Sequence, residues 1–189
     1  VTYENLRLRD TSFTNKVLEE FNDNCNVNIK NQSAAFSTFK LRDLELQNRI
    51  AMSSMGQYSA QNGLVNDWHF QHYTSRAIGG LGLILTEMTA VSKTGRITLG
   101  CNGIYNENQT VEWKRINDFI HKNTHAKIGI QLGHSGRKGC SKIPWEDSFS
   151  GENWELLSAS AFPFNEGGIV PKEMTLADMD LVTSQFVQA

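Results

Sequence analysis

Three short apolar runs, set at intervals of roughly 35 to 45 residues, constrain the fold of this chain more than any other feature. They cover residues 49–53, 82–86 and 127–132, and each runs into polar, glycine-containing sequence. The second run hardly alternates in polarity, which is typical of a strand covered on both faces. We therefore expect three strands, counting a short first one at residues 49–53.

Segments with helical periodicity follow these runs. We expect helices at about 67–78 and 109–121, and a last helix that opens at Thr175 with a cap formed by Thr175 and Asp178. The apolar face of the second helix would carry Trp113, Ile116, Phe119 and Ile120. The inward face of the last helix would carry Met179, Val182 and Phe186. The loop of some 40 residues before the last helix is long enough to indicate a functional role.

Strands and helices in alternation predict right-handed βαβ units on a parallel sheet, which makes the fold class α/β. Periodicity leaves two architectures open, a closed barrel and a doubly wound sheet. No GxGxxG motif follows the first strand, which disfavours a dinucleotide-binding doubly wound fold. The glycine cluster at residues 79–82 precedes a strand, so we interpret it as a turn from helix to strand.

Residues 1–33 differ in character from the rest of the chain. Phe13, Val17, Leu18 and Phe21 form a short apolar stripe at helical spacing. An asparagine-rich stretch follows, which we interpret as a linker. Its asparagines are Asn22, Asn24, Asn26, Asn28 and Asn31. Residues 39–41 and 44–46 then flank a two-residue turn and predict a small hairpin.

Charge and cysteine content disfavour several classes of partner. The net charge of −2 favours binding neither to nucleic acid nor to an anionic membrane. No apolar run approaches the roughly 20 residues that a membrane span requires. Cys25, Cys101 and Cys140 are few and widely spaced, which suits free thiols in a reducing cytoplasm. No His, Asp, Glu or Cys cluster has the spacing of a metal site, so we expect no metal.

Polar sequence follows each predicted strand, at residues 53–59, 87–89 and 131–138. Ligands of parallel α/β folds bind beyond the carboxyl ends of the strands. Because these ends meet at one edge of the sheet, they describe a floor on which backbone groups and a few polar side chains can approach a planar ligand. The sequence therefore predicts a ligand site at this edge.

The same segments resemble the Old Yellow Enzyme family. Residues 48–59, 67–80 and 82–87 are similar, in that order, to the beginning of its barrel, and residues 95–97 and 128–138 continue the match to cover about 36–189. The resemblance implies that residues 34–189 are the N-terminal part, about three βα units, of an FMN-binding TIM (β/α)8 barrel. The hairpin and the linker would precede these units. A complete barrel of this kind takes about 250 residues.

The resemblance extends to barrels fused behind a flavin monooxygenase in salicylyl-CoA hydroxylase and anthraniloyl-CoA monooxygenase-like proteins. Residues 3–10 resemble the junction between the two halves of those proteins. We therefore expect residues 1–33 to be a lead-in helix and linker from an FAD monooxygenase domain upstream. We also expect the chain to be part of a longer protein, since it lacks an initiator Met and stops within a helical pattern.

The resemblance implies FMN at the barrel mouth, with NAD(P)H as the electron donor. The implied cofactor-binding residues are Ser53, Ser54, Met55, Gly56, Met88 and Gln131. Backbone groups at 53–56 would border the N5 and O4 edge of the ring, where hydrogen bonds tune hydride transfer. The Gln131 amide offers a donor and an acceptor to the flavin N3–H and O2. Tyr58 would contact the substrate or wall its cavity.

Gly56 departs from one branch of the family. That branch has Cys at this position, whereas this chain has Gly, so no thiol can tune the flavin here.

Other residues near the predicted site have structural or functional interpretations. We interpret Glu87 as a buried structural carboxylate. His134 could form an anion site with Arg137 and Lys138, or could satisfy loop carbonyls. His69 and His72 would be packing or surface residues, whereas His121 and His125 would face solvent.

The function that the resemblance implies is an oxidoreductase domain. It would pass hydride from NAD(P)H through FMN to an activated alkene or aromatic small molecule, including a CoA thioester. The alternative is a non-catalytic flavin-binding or docking barrel within a multidomain CoA-ester monooxygenase. The family's proton donor, substrate-binding pair and phosphate loops would fall beyond residue 189, so we expect this chain alone to be inactive. A homo-oligomer in the cytoplasm is compatible with the family.

Overall fold

A computed structural model describes residues 2–30, 32–151 and 153–189, so Asn31 of the predicted linker lies outside the described residues. The helices of this part are Tyr3–Arg9 (α1), Thr11–Cys25 (α2), Asp67–Ile78 (α3), Glu107–Asn123 (α4) and Leu176–Gln188 (α5). Its strands are Phe39–Leu41 (β1), Leu44–Leu46 (β2), Ala51–Met52 (β3), Leu83–Ala90 (β4), Lys127–Gly133 (β5), Leu157–Ser158 (β6) and Lys172–Glu173 (β7). None of the helices in the described ranges is long and apolar enough to cross a membrane.

A parallel sheet in the order β3-β4-β5 forms the centre of the molecule. Helices α3 and α4 follow β3 and β4 in the chain and pack against the sheet and against each other. Tyr73, Ile84, Ile116 and Ile120 meet in this layer, each without exposed surface. The predicted βαβ order is therefore present, and it brings the carboxyl ends of three strands together.

Strand β4 contains a β-bulge close to this end. Leu85 pairs with Gly129 and Met88 pairs with Gln131, so Thr86 and Glu87 together oppose a single residue of β5. The Gln131 N–H donates to the Thr86 hydroxyl at 3.2 Å, which satisfies a backbone donor at the irregularity. Bulges of this kind redirect side chains and are frequent beside functional sites.

The strand bounds predicted from sequence need correction. The first strand is shorter than residues 49–53, and the second continues past residue 86 to Ala90. Glu87, Met88 and Thr89 lie inside β4 instead of following it. Polar side chains ended the apolar run in the sequence, but Glu87 and Thr89 are buried with hydrogen-bond partners, so the strand continues.

The lead-in segment is more ordered than its composition predicted. Helix α2 runs through Asn22 and Asn24 and ends before Asn26, which adopts a left-handed conformation with φ of 49°. The Asn22 side chain makes two hydrogen bonds of 3.0 Å with the backbone of Ile29. The prediction of a linker from Asn22 is therefore wrong in its first part, because these amides cap and fasten the helix.

The hairpin of β1 and β2 is confirmed as antiparallel, and one side chain joins it to the lead-in. The Arg49 guanidinium lies 5.2 Å from the ring centre of Phe21 on α2 and 4.7 Å from that of Phe39 on β1. It also donates to the Ser37 hydroxyl. Stacking and hydrogen bonding of this kind fix α2 against the start of the sheet.

The long loop and the last helix differ from their predictions in different ways. Strands β6 and β7 pair as a small parallel ladder within the loop. The Thr175 and Asp178 capping box is confirmed at the start of α5. The predicted inward face of α5 is wrong, since Met179 and Phe186 are exposed and Val182 is only half-buried. No other helix or strand among the described residues packs closely on this face.

Candidate functional site

The predicted site residues are carried by two segments at the carboxyl end of the sheet and by the loop after β3. Met88 and Gln131 are direct neighbours across β4 and β5. The loop that holds Ser53 to Gly56 is drawn to β4 because the Gln57 N–H donates to Glu87 Oε2 at 2.8 Å. All six predicted cofactor-binding residues therefore belong to segments that meet at this end.

Several hydrogen-bonding groups of these segments have no partner within the described ranges. They are the N–H groups of Met55 and Gly56 and the side-chain amide of Gln131. Ser53, Met55, Gly56 and Gln131 are exposed, whereas Ser54 and Met88 are half-buried. Free donors and acceptors beside apolar Met side chains are what a planar ligand with polar edges requires.

Glycines allow close packing around this surface. A Cβ on Gly133 would lie 2.6 Å from Cγ of Met88, so β5 can carry only glycine there without displacing Met88. A Cβ on Gly56 would lie 3.0 Å from the Tyr58 ring. A cysteine side chain at this position would therefore require the Tyr58 ring to move.

Tyr58 has an unusual backbone conformation, with φ of 50° in the left-handed region. Its carbonyl lies so close to Gly100 that a side chain at Gly100 would collide with it. Its ring meets Trp145 of the long loop edge-on, with 6.0 Å between the ring centres. Burial, followed by the charges of Cys101 and Glu87, raises the Tyr58 pKa, so the phenol stays a hydrogen-bond donor at neutral pH.

Glu87 is a buried carboxylate, as the sequence predicted, and the structure gives it three neighbours. Only 2% of the residue is exposed. Besides Gln57, its carboxylate contacts the Tyr73 hydroxyl at 3.5 Å and lies 3.3 Å from Nε2 of His69. Burial beside this carboxylate raises the Tyr73 pKa far above its usual value, so Tyr73 remains a protonated donor.

His134 is better explained by structural contacts than by an anion site. Its Nδ1 accepts the Gly136 N–H at 3.1 Å, and burial lowers its pKa, so it is neutral at neutral pH. Arg137 donates to the hydroxyls of Ser158 and Ser160 in and after β6. The guanidinium therefore fastens the long loop to the strand end.

The remaining histidines and cysteines divide as follows. His69 and His72 are buried, which confirms the packing interpretation over the surface one, and His121 and His125 are exposed. The three cysteines are free thiols. Among the residues that the structure describes, no group of three His, Cys, Asp or Glu side chains could hold a metal ion.

Sequence reasoning missed Trp145 and the contact between His69 and Glu87. His69 occupies the third position of α3 and its ring faces the Asn66 backbone N–H in a capping box. An asparagine three residues before a histidine at a helix start was the available signal. Nothing in the sequence indicated that the same ring would reach a strand residue 18 positions later.

Comparison with known proteins assigns these elements to a family. Residues 34–189 match the profile of the NADH:flavin oxidoreductase / NADH oxidase family. An NADPH dehydrogenase of Listeria monocytogenes serotype 4a is 42% identical over 159 residues, which are 83% of this chain and 44% of that relative. An NADPH dehydrogenase of Geobacillus thermodenitrificans is 40% identical over 153 residues, which are 80% of this chain and 42% of that relative. The chain thus spans less than half the length of these relatives.

Solved structures confirm the architecture. An Old Yellow Enzyme from a Pichia species superposes with a TM-score of 0.71 at 25% identity, over 83% of this chain and 42% of that one. Morphinone reductase in complex with tetrahydroNAD superposes with a TM-score of 0.67 at 22% identity, over 83% of this chain and 45% of that one. The parallel sheet with its helices is therefore part of a TIM barrel, and the doubly wound alternative is wrong.

Proposed function

Because this chain belongs to the NADH:flavin oxidoreductase / NADH oxidase family, we propose that the full-length protein is an FMN-dependent oxidoreductase. Membership of the family implies FMN as the cofactor and a reduced nicotinamide as the electron donor. The observation that carries the proposal is the set of free hydrogen-bonding groups in the loop after β3 and on β5, beside β4, in a chain whose residues 34–189 match that family.

The residues present are compatible with the flavin ring. The free N–H groups of Met55 and Gly56 suit the acceptor atoms N5 and O4, and the Gln131 amide suits the N3–H and O2 edge. Ser53, Ser54 and the Met88 backbone would complete the border. Bound FMN supplies the hydride acceptor and donor, and these residues hold and orient it. Glycine at position 56 would leave room over the ring, and glycine at position 133 leaves room for the Met88 side chain.

Tyr58 is our candidate for the substrate contact. Its raised pKa keeps the phenol protonated, so it can donate to a carbonyl oxygen of an activated alkene. The ring of Trp145 stands against it and would form a wall of the same cavity. Hydride delivered to an alkene conjugated with that carbonyl is the reaction we propose, with a small molecule as substrate.

A finer proposal concerns the substrate class and the upstream partner. Residues 1–33 lie outside the family match, yet α2 is fastened to the hairpin through Arg49. The resemblance of residues 3–10 to the junction of such fusion proteins is the support for a lead-in from a preceding FAD monooxygenase domain and for an aromatic CoA thioester as the substrate. A flavin-binding or docking barrel without turnover remains the second candidate for such a fusion. The cytoplasmic location and a homo-oligomer stay predictions.

Replacing Gln131 tests the flavin assignment. In the full-length protein we expect Gln131→Leu to weaken FMN binding about tenfold or more. The buried edge of the ring would lose its partners, which costs roughly 1–3 kcal/mol. FMN affinity can be measured by fluorescence quenching during reconstitution. The matched control is Gln71→Leu on the exposed surface of α3, which should bind FMN like the parent. Equal affinities for all three proteins would remove Gln131 from the site.

A further inference from the structure

One buried side chain connects both backbone segments that border the proposed flavin site. Glu87 immediately precedes Met88 in β4, and its Oε2 accepts the N–H of Gln57, which immediately follows Gly56. The bulge at Thr86 and Glu87 sets this arrangement. It places the carboxylate among buried side chains of α3, while Met88 stays in register with Gln131. A displacement of Glu87 would therefore move both borders of the site.

Each oxygen of the Glu87 carboxylate faces one hydrogen-bond donor, the Gln57 N–H at Oε2 and the Tyr73 hydroxyl at Oε1. Oε1 faces the Tyr73 hydroxyl at 3.5 Å, and that hydroxyl in turn accepts the Glu87 N–H at 3.0 Å. Nε2 of His69 lies 3.3 Å from Oε1, although its N–H is not well aligned with the oxygen. The His69 ring therefore packs against the carboxylate without a well-formed hydrogen bond to it.

The same histidine is held from its other side. Nδ1 lies 3.2 Å from the Asn66 N–H and 2.9 Å from Asn66 Oδ1, within the capping box that starts α3. His69 and Tyr73 are both fully buried on α3, one turn apart. Helix α3 thus places the Tyr73 hydroxyl and the His69 ring against Glu87, and Glu87 presents an acceptor to the loop after β3.

We propose that Glu87, held by His69 and Tyr73, is a positioning residue that sets the loop at 55–57 against Met88 and thereby orients the flavin ring. The inference rests on the proposed function and assigns a role in it to a residue that does not itself face the ligand. The loop contains no regular secondary structure, and the N–H groups of Met55 and Gly56 have no other partner among the described residues. The bond from Gln57 to Glu87 is therefore the anchor nearest to them.

Glu87→Gln in the full-length, flavin-bound protein tests this role. The Gln57 N–H and the Tyr73 hydroxyl donate to different oxygens of the carboxylate, but an amide has one oxygen and can accept from only one of them in this arrangement. We expect a shifted visible flavin spectrum and at least a tenfold slower reduction of the flavin by reduced nicotinamide, with the KM for the nicotinamide little changed. The matched control, Glu112→Gln, removes a carboxylate of α4 that pairs with Arg115, and should behave like the parent.

A second variant covers the case in which Glu87→Gln does not fold. Gln57→Pro removes the loop N–H that the carboxylate accepts and leaves Glu87, His69 and Tyr73 in place. It also removes the Gln57 side-chain bonds to the Met55 carbonyl and to Trp68 Nε1, so Gln57→Ala, which loses only those side-chain bonds, is its control. We expect the same spectral shift and slower reduction from Gln57→Pro. A folded Glu87→Gln or Gln57→Pro variant with the parent's spectrum and reduction rate would overturn the positioning role. If the parent itself binds no flavin after reconstitution, the proposed function fails. If the parent binds flavin and the folded variants behave like it, only the positioning role fails.

Discussion

Gly56 and Tyr58 show how single residues shape this site. The glycine lies directly against the Tyr58 ring, and the tyrosine occupies a left-handed conformation that a bulky side chain adopts only under local constraint. Strain of this kind is concentrated at functional sites. The sequence predicted that both residues belong to the site. It could not predict their contact, because the backbone turn that produces it depends on Gly100 in a distant loop.

His134 leads to a prediction about the pH dependence of stability. Burial lowers its pKa below the usual value of about 6.5, so the folded protein resists protonation that the unfolded chain accepts. Its contribution to the free energy of unfolding is complete above about pH 6.5 and is lost as the pH falls below it. His72, whose pKa is also lowered by burial, acts in the same direction.

We therefore expect His134→Gln to reduce the loss of stability between about pH 7 and pH 5, because the titrating group is gone. Urea unfolding of the full-length protein at both pH values measures this. The control is His121→Gln on the exposed face of α4, which should keep the parent's pH dependence. A variant at position 134 with the parent's slope would contradict the burial of an uncharged imidazole.

At the scale of elements, long periodic segments were predictable and short or irregular ones were not. The bounds of α3 agree with the prediction, since twelve residues of amphipathic pattern follow an Asn cap. The predicted end of strand β4 was four residues too early, because the polar Glu87 and Thr89 are buried with hydrogen-bond partners and the strand continues through them. The ladder of β6 and β7 has two residues per strand, too few for any periodicity.

Helix α5 is the element whose start is best defined by chemistry. Asp178 accepts hydrogen bonds from the Thr175 N–H and hydroxyl and pairs with Lys172, and these contacts lower its pKa to about 2. The carboxylate is thus ionised at neutral pH. Because α5 buries none of its residues, its first turn depends on this cap more than on packing.

We expect Asp178→Asn to speed amide hydrogen exchange in the first turn of α5 at neutral pH, since the charged cap is lost. The control is Asp180→Asn, two residues further along the same helix. In the parent, the protection should be complete above about pH 4 and fall as the pH approaches 2, because the folded pKa is depressed. Equal exchange in Asp178→Asn and the parent would show that the capping box does not stabilise the helix.

At the scale of the whole molecule, the chain provides one part of a barrel. The sheet ends at β5, whose outer edge has no partner strand among the described residues, and Leu85 and Ile130 are 39% and 40% exposed. Further strands cover such edges and faces in a closed barrel. The motifs that match the family in the same order along the chain predicted this partial barrel. The substrate could not be predicted from a chain that spans less than half the length of the relatives it matches.

The central claim is that the strand ends of this chain hold an FMN that a reduced nicotinamide reduces. Anaerobic titration of the full-length protein with NADPH or NADH, followed by visible absorption, tests it most directly. We predict that the purified or reconstituted protein is yellow and that its flavin bands bleach with the nicotinamide. The chain of residues 1–189 alone should show no such turnover. A full-length protein that stays colourless after reconstitution with FMN, or whose flavin is not bleached, would contradict the account.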